Sequence, residues 1–320
     1  RMGCRFSLAS FVDSAYTGSI RHKGGDLMHQ REVKSILSPQ NGMNLYRGCT
    51  HGCIYCDSRS KCYQMQHDFE DIEIKQNAPI LLESTIRRKR HACMIGTGGM
   101  SDPYIPLKES LEITRQCLQI IDRYEFGVTL HTKSNLILRD IDLLESINKK
   151  SKCVVQMTLT TKDDDLCKLI EPNVCTTSQR VEVLREMKKR NIPTVVWLTP
   201  LLPFINDTNE NVLGILEDCI DVGVHGIITF GMGLTLREGN REYFYEQLDK
   251  HFPGLKQKYI KTYGLAYELP SPNQKDLLKL FYSTCHSNHI LCNDDKIFEY
   301  LHEYHRNEGT QLSLFDFMKL

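Results

Sequence analysis

The sequence predicts an α/β protein, a partial (β/α)6 barrel with a mostly helical C-terminal extension, and three observations predict it. From Asn44 onward, short β-rich runs alternate with longer amphipathic segments, the pattern of parallel strands joined by crossover helices. Six such units occupy roughly residues 41–235, too few for a closed eight-stranded barrel, which takes about 250 residues. Beyond Gly231 the alternation stops. Arg237-Glu-Gly-Asn-Arg-Glu-Tyr-Phe-Tyr245 reads as a charged, aromatic helix, and a stretch rich in Tyr, Lys and Pro follows it.

Residues 1–40 form an N-terminal segment with little periodicity and several Gly and Ser residues, expected to be flexible or in part a cloning remnant, with Arg1 ahead of Met2. Met28 is a candidate natural start, because patterned sequence begins near Val33-Lys-Ser-Ile-Leu37. The barrel is assigned to residues 41–235, with strands expected near Met43–Tyr46, Ala92–Gly96, Phe126–Thr132, Cys153–Leu159, Thr194–Leu198 and Gly226–Phe230. Helices are expected over Pro79–Arg90, Leu107–Tyr124, Arg139–Lys149, Thr177–Arg190 and Thr208–Val222. Pro79 and Pro106 stand at helix starts, where a missing N–H costs nothing. Residues 236–320 are the C-terminal extension, expected to pack over the barrel mouth or its open side.

The chain has 320 residues, 41% of them hydrophobic, enough for a substantial core. Forty basic and forty acidic residues give a formal charge of zero, so any nucleic-acid binding must rest on local patches such as Arg87-Arg-Lys-Arg-His91. Such clusters also read as the solvated ends of helices. Thirteen scattered cysteines, with no apolar leader and no membrane-length apolar run, point to a reducing cytoplasm, free or metal-bound thiols and no membrane.

The chemistry is concentrated in Asn44-Leu-Tyr-Arg-Gly-Cys-Thr-His-Gly-Cys-Ile-Tyr-Cys56. Cys49, Cys53 and Cys56 have the C-x3-C-x2-C spacing with which three thiolates grip one cubane iron–sulfur cluster. Such cubanes normally take four cysteines, so three leave one iron for a small molecule. A zinc site would close with a second knuckle, and none follows. Gly48 and Gly52 let the backbone take turns closed to other residues.

With this triplet the chain resembles the radical S-adenosylmethionine (SAM) enzymes, and the likeness extends over roughly three quarters of its length. Gly96-Thr-Gly-Gly-Met-Ser-Asp-Pro-Tyr104, Thr132-Lys-Ser134, Leu138-Arg-Asp-Ile-Asp-Leu-Leu144, Ile170-Glu-Pro172 and Pro200-Leu-Leu-Pro-Phe-Ile-Asn-Asp207 fall in the order seen in the branch that includes spore photoproduct lyase and its DNA repair photolyase relatives. The resemblance implies a [4Fe-4S] cluster on Cys49, Cys53 and Cys56, and SAM cleaved to a 5′-deoxyadenosyl radical. It also implies an electron donor such as flavodoxin or ferredoxin. Gly98 and Gly99 would offer backbone groups to the methionine end of SAM, Ser101 would contact SAM, and Lys133 would pair with its carboxylate. Thr158 would reach the ribose or carboxylate, and Tyr55 would cover the cluster or meet the adenine. Each position also has an ordinary reading as a turn, a cap, a surface lysine or a strand former. Asp102 either orients Lys133 or simply starts the Asp-Pro turn.

Two departures from the lyase pattern stand out. Its hydrogen-donating cysteine is replaced here by Gly99 and Met100, which leaves Cys93, earlier on the same strand, as a candidate substitute against its plain reading as a small buried hydrophobe. A tyrosine after the cluster loop is Asp57. Both losses touch the return of the radical, so repair of the spore photoproduct itself is not expected. DNA repair or modification is the leading function. Modification of RNA, peptide or a small molecule, or a cluster-based redox or DNA-damage sensor, are the rivals.

Two further features are separate from the barrel. Cys285, His286, His289 and Cys292 offer metal-binding side chains at a loose spacing, against a plain core reading. Near the end, Gln311-Leu-Ser-Leu-Phe315 resembles the pentapeptide that docks bacterial polymerases and repair factors on the sliding clamp. Leu312, Leu314 and Phe315 would fill an apolar groove while Gln311 bonds at its edge. The same apolar residues would otherwise pack back on the protein.

Overall fold

The computed structural model describes residues 28–306. The chain runs through β1 (Met28–Arg31), β2 (Gly42–Met43), β3 (Tyr46–Arg47), β4 (Ile72–Lys75), α1 (Ala78–Arg88) and β5 (Met94–Thr97). Then follow α2 (Lys108–Arg123), β6 (Gly127–Thr132), α3 (Ile141–Lys150), β7 (Cys153–Thr158), α4 (Asp164–Ile170), α5 (Thr177–Lys189), β8 (Thr194–Trp197), α6 (Asn209–Val222) and β9 (Gly226–Ile228). The chain continues with β10 (Gly233–Thr235), α7 (Asn240–His251), α8 (Leu255–Tyr263), β11 (Glu268–Pro270), α9 (Gln274–Ser287) and α10 (Asp294–His302).

The main sheet has six strands in the order β2-β5-β6-β7-β8-β9, every neighbour parallel, and it is the partial barrel the alternation predicts. Strand β7 is buried at every position because helices cover one face and the barrel interior the other. Register puts Thr129 beside Val154, His131 beside Gln156, Gln156 beside Val195 and Thr158 beside Trp197, one inward-facing layer. Val128, Leu130, Cys153, Val155 and Met157 alternate with these and join the helices in the main core.

Helix ends follow local chemistry. Thr176 and Gln179 form a capping box at α5, and Thr208 accepts the Asn211 N–H at the start of α6. Helix α6 ends at Gly223 in the left-handed region.

The C-terminal helices serve both the mouth and the open side. Phe244, Leu248 and Tyr259 of α7 and α8 pack with Ile54, Tyr55, Ile170 and Leu202 over the cysteine loop. Ile297 and Leu301 of α10 pack with Met94, Val154, Val195 and Ile228, closing the open side between β5 and β9.

Several elements depart from expectation. The strand expected over 43–46 is split, because Tyr46 and Arg47 leave the main sheet and pair antiparallel with Ile74 and Glu73 of β4. The expected helix over 139–149 begins as a 3-10 turn, Asn135–Asp140, before α3. Strands β1, β4, β10 and β11 and helix α4 were not predicted; all are short, and the four strands pair with segments far away in sequence. No helix among the described residues is long and apolar enough to cross a membrane.

Candidate active site

The cysteine loop links β2 to the rest of the first unit. Cys49 and Cys53 are buried and Cys56 partly so. Two glycines set its path: Gly52 has φ +70, and Gly48 has φ +87, where a Cβ would meet the Phe69 carbonyl at 2.5 Å. The Cys49 N–H donates to that same carbonyl oxygen at 2.9 Å. On the other side the Ile54 N–H donates to Ile170 O at 3.0 Å, and the Asn173 side chain donates to Thr50 O at 2.9 Å. The loop is therefore clamped between β4 and the end of α4 before any cofactor enters.

The donor set fits a cluster better than a single ion. Thiolates on one tetrahedral zinc sit about 3.8 Å apart, yet these three sulfurs do not gather within 4.8 Å of one another. Separate irons of a cluster hold ligands further apart. Burial pushes the Cys49 thiol up to about 12 and the Cys53 thiol well above its ordinary range. Their thiolates need metal charge beside them.

Behind the loop lies a buried charged chain. Tyr55 donates its hydroxyl to Glu171, and the Glu171 carboxylate pairs with Arg180 at 2.7 Å, neither partner exposed. Arg180 also donates to Thr158 O at 3.0 Å and Cys175 O at 3.0 Å. Burial raises the Glu171 carboxyl, but Arg180 and Lys133 outweigh it and hold the group below its ordinary value. Burial opposes the Lys133 ammonium, while Cys53 and Glu171 more than restore it, so the lysine is charged. Its Nζ lies 5.7 Å from the centre of the Tyr55 ring.

Asp102 ties three elements together. One of its oxygens accepts the Thr132 hydroxyl at 2.7 Å and the Tyr104 N–H at 2.8 Å. The other accepts the Lys133 N–H at 2.8 Å and lies 3.6 Å from His51 Nδ1. Both readings of Asp102 hold in the structure: it starts the Asp-Pro turn through the Tyr104 N–H and holds Lys133 through the backbone. Ser101 donates its hydroxyl to Tyr46 O at 2.9 Å, fixing the same turn to β3. Gly98 has φ +98, and a Cβ there would stand 1.9 Å from His131 O, whereas a Cβ on Gly99 would meet nothing within 4 Å. The turn thus leans on β6 at Gly98 and opens at Gly99.

Not every predicted residue joins this group. Tyr55 packs inside the apolar cluster with Cys53, Phe244 and Tyr259, its ring covered by the C-terminal helices. The Thr158 hydroxyl is engaged by His131 Nε2 at 2.8 Å. Cys93 precedes Met94, at the N-terminal end of β5, roughly 13 Å along the strand from Thr97, after which the Gly98 and Gly99 turn begins, at about 3.3 Å per residue. It cannot serve as a donor at the other end. Cys285 and Cys292 are buried free thiols that hydrogen-bond to each other, while His286 and His289 are exposed, and the four do not converge on one point. The two cysteines belong to the main core. Gln311, Leu312, Leu314 and Phe315 lie outside the described residues.

Sequence reasoning missed Arg180. A signal was present: in α5, Arg180 shares a face with Val183, Leu184 and Met187, and a cation on an apolar stripe requires a buried partner.

Beside the Gly99 turn, a cavity of about 370 Å³ enters the barrel, lined by Gly99, Met100, Thr129, His131, Gln156 and Trp197 and closed below by Phe298 and Leu301 of α10. Trp197 stacks on His131 with ring centres 4.5 Å apart. A polar chain runs along the wall: the Trp197 indole N–H donates to Gln156, whose amide donates to the Thr129 hydroxyl, each at 2.8 Å. Burial and Lys133 push the His131 imidazole down to about 3, so it is neutral.

The comparisons agree with this geometry. An uncharacterized protein of Mycobacterium tuberculosis is 25% identical over 245 residues, covering 74% of this chain and 71% of its own. One from Methanocaldococcus jannaschii is 30% identical over 174 residues, 54% of this chain and 64% of its own. Among solved structures, a cysteine-to-serine variant of spore photoproduct lyase superposes with a TM-score of 0.58 at 12% identity, covering 85% of this chain and 86% of that one. A radical SAM methyltransferase from Kitasatospora setae superposes at 0.50 with 13% identity, covering 76% of this chain and 52% of that one. At such identities the likeness is one of fold. The family model for the radical SAM superfamily matches residues 43–217, more than half of the chain and the whole of the loop and turns described above, and the protein is an enzyme of that superfamily.

Proposed function

We propose that the chain carries a [4Fe-4S] cluster on Cys49, Cys53 and Cys56, binds SAM beside it and acts on a DNA lesion or a nucleotide held in the barrel cavity. The observation that supports this best is the meeting of four features at one end of the sheet: the clamped triplet, the charged Lys133, the open turn at Gly99 and the cavity beginning at that turn. When bound, cluster and SAM would supply a 5′-deoxyadenosyl radical, the chemistry of this superfamily. The chain's own part is positioning. Lys133 places a cation where the SAM carboxylate would sit, and Asp102 holds the Lys133 backbone. Gly99 leaves room for the methionine end, and the cavity walls exclude water from the reacting atoms.

The nucleic-acid reading draws on two supports. A lyase of the same fold, at TM-score 0.55, has been solved with AdoMet and a dinucleoside spore photoproduct. The stacked His131 and Trp197 rings at the cavity wall are of the kind on which bases stack. Gly99 and Met100 in place of a donor cysteine, and Cys93 at the far strand end, separate this reaction from spore photoproduct repair. The same absence favours, as second reading, modification of another substrate such as RNA, peptide or a small molecule. Docking of Gln311, Leu312, Leu314 and Phe315 on a sliding clamp, a flavodoxin or ferredoxin donor and a cytoplasmic location belong to the same proposal.

The test is anaerobic reconstitution with iron and sulfide, comparing wild type with a Cys49→Ala, Cys53→Ala, Cys56→Ala variant. About four irons and 5′-deoxyadenosine formed by wild type alone support the reading. Zinc uptake without SAM cleavage sinks it. Damaged oligonucleotides that raise SAM turnover would then identify the substrate, and stimulation by RNA or peptide alone would move the reading to its rival.

A further inference from the structure

We propose a second metal site, remote in chemistry from the cysteine loop, formed by His29, His67 and Glu73 and suited to Zn2+. One nitrogen from each ring and a carboxylate oxygen of Glu73 lie within 4.8 Å of one another, a convergence found at no other place among the described residues. The fold creates it: β1 pairs parallel with β4 so that His29 faces Glu73, and His67 stands on the loop leading into β4.

The hydrogen bonds around the cluster orient both imidazoles for a cation. His29 Nδ1 is 3.0 Å from Asp71 Oδ1, which turns Nε2 toward Glu73 Oε2 at 3.8 Å. His67 Nδ1 is 3.0 Å from the Asp68 carbonyl, so that nitrogen carries the proton and Nε2 has the lone pair. That Nε2 is buried and has no hydrogen-bond partner. A buried ring nitrogen without a partner costs free energy unless something fills the vacancy. The two rings meet edge to face at 4.7 Å. Carboxylate or carbonyl oxygens holding the distal N–H of a liganding histidine are the usual outer support of zinc sites.

The donor set selects the ion. Two neutral imidazoles and one carboxylate, with the fourth position left to water, suit zinc and its borderline neighbours better than calcium or magnesium, which prefer oxygen alone. Charge agrees. Asp71 and Glu73 bring two negative charges, and Asp71 Oδ2 also lies 3.9 Å from His67 Nδ1. Arg31 holds Glu73 Oε2 at 3.0 Å, but its side chain is 58% exposed and swings away at little cost when a dication takes that oxygen. The ion would clip β1 to β4, the strand against which the cysteine loop is built, without using any thiol.

The test uses anaerobically reconstituted protein, its cluster cysteines occupied, titrated with Zn2+ against a chromophoric chelator. A parallel titration uses the Cys49→Ala, Cys53→Ala, Cys56→Ala variant, so the result does not depend on the cluster reading. The expected outcome is about one tight equivalent in both proteins, weakened at least tenfold by His67→Ala and His29→Ala and about 10–100-fold by Asp71→Asn. Co2+ in place of zinc should give a visible spectrum without a thiolate charge-transfer band. His29 is partly exposed, so its variant should fold even if His67→Ala does not. Absence of the equivalent from the triple-cysteine variant overturns the proposal, as does binding unchanged by His29→Ala and Asp71→Asn. Either outcome would leave these residues as an ion-pair network alone.

Discussion

The Glu171 carboxylate and the Arg180 guanidinium meet at 2.7 Å with both side chains wholly buried, and the hydroxyl of Tyr55, which stands between Cys53 and Cys56 in the chain, donates to the same carboxylate. A buried pair of this kind contributes less by its attraction than it costs when one member is removed. Arg180→Met should therefore destabilise the cluster-free protein by about 3–5 kcal/mol, leaving an unpaired carboxylate in the core. Combining it with Glu171→Leu should cost clearly less than the sum of the two single changes. Urea denaturation of the four proteins checks this, and additive losses would show that the pair is not coupled.

Both the legible and the hidden parts of the molecule have physical causes. Barrel strands β5 to β9 were readable because each is a short apolar run between amphipathic helices, and periodicity is a local property. Strands β1 and β4 were not, since a run such as Ile72-Glu-Ile-Lys75 becomes a strand only through partners at Met28–Arg31 and Tyr46–Arg47. The cysteine triplet stood out because its members are close in sequence. Glu171 with Arg180, and Asp102 with Lys133, come together only after folding, so a motif could suggest each residue but not the pair. The surroundings of Tyr55 were hidden for a related reason: helices α7 and α8, distant in sequence, supply the apolar cover over its ring.

Asp102 should behave as a positioning residue. Asp102→Asn keeps one oxygen for Thr132 and Tyr104 but turns an amide N–H2 toward the Lys133 N–H. A buried donor left facing a donor costs about 1–3 kcal/mol. On the proposed function, the displaced Lys133 should weaken SAM binding by about tenfold or more while iron content stays unchanged. Equilibrium binding of SAM to reconstituted protein, with iron counted on the same sample, reads both effects. Unchanged SAM affinity would confine Asp102 to holding the turn.

Gly98 and Gly99 are adjacent and should respond in opposite ways to one methyl group. Gly98→Ala puts a Cβ 1.9 Å from a β6 carbonyl at φ +98, and the strand or the turn must move. A loss of more than about 2 kcal/mol is expected. Gly99→Ala meets nothing within 4 Å, so thermal stability should stay within about 0.5 kcal/mol of wild type. If the open side of that turn receives the methionine end of SAM, Gly99→Ala should nevertheless raise the KM for SAM. Equal melting temperatures for the two variants would contradict the close approach at Gly98.

Lys152 links β7 to the helix that closes the barrel, its Nζ donating to the Glu303 carbonyl at 3.0 Å and lying 3.5 Å from the Tyr300 ring centre. Burial pushes this ammonium down to about 8. The unfolded chain, with an ordinary lysine near 10.4, binds more protons between those values. Stability should therefore rise as pH increases from about 8 to 10.4, by an amount bounded at about 3 kcal/mol. Lys152→Met should remove that component from the pH profile. A wild-type profile no steeper than the variant's would show that the lysine is charged without penalty.

His131 gives the opposite end of the pH range a definite sign. Burial first, and Lys133 second, push its imidazole down to about 3, with Asp102 opposing. The unfolded chain carries an ordinary histidine near 6.5, so below that pH it takes up a proton the folded protein refuses. Stability contributed by the neutral ring is complete above 6.5 and is lost as pH falls toward 3. The ring's neutrality also matters to the cavity, because Nε2 meets the Thr158 hydroxyl at 2.8 Å while the ring face stacks on Trp197. Protonation would place a cation against Lys133 and weaken that wall before the whole protein unfolds. His131→Phe, which stays neutral and can still stack on Trp197, should flatten the stability profile between pH 6 and about 4. Denaturant melts of both proteins across that interval decide it, and parallel curves would mean that the imidazole titrates as freely in the folded barrel as in the unfolded chain.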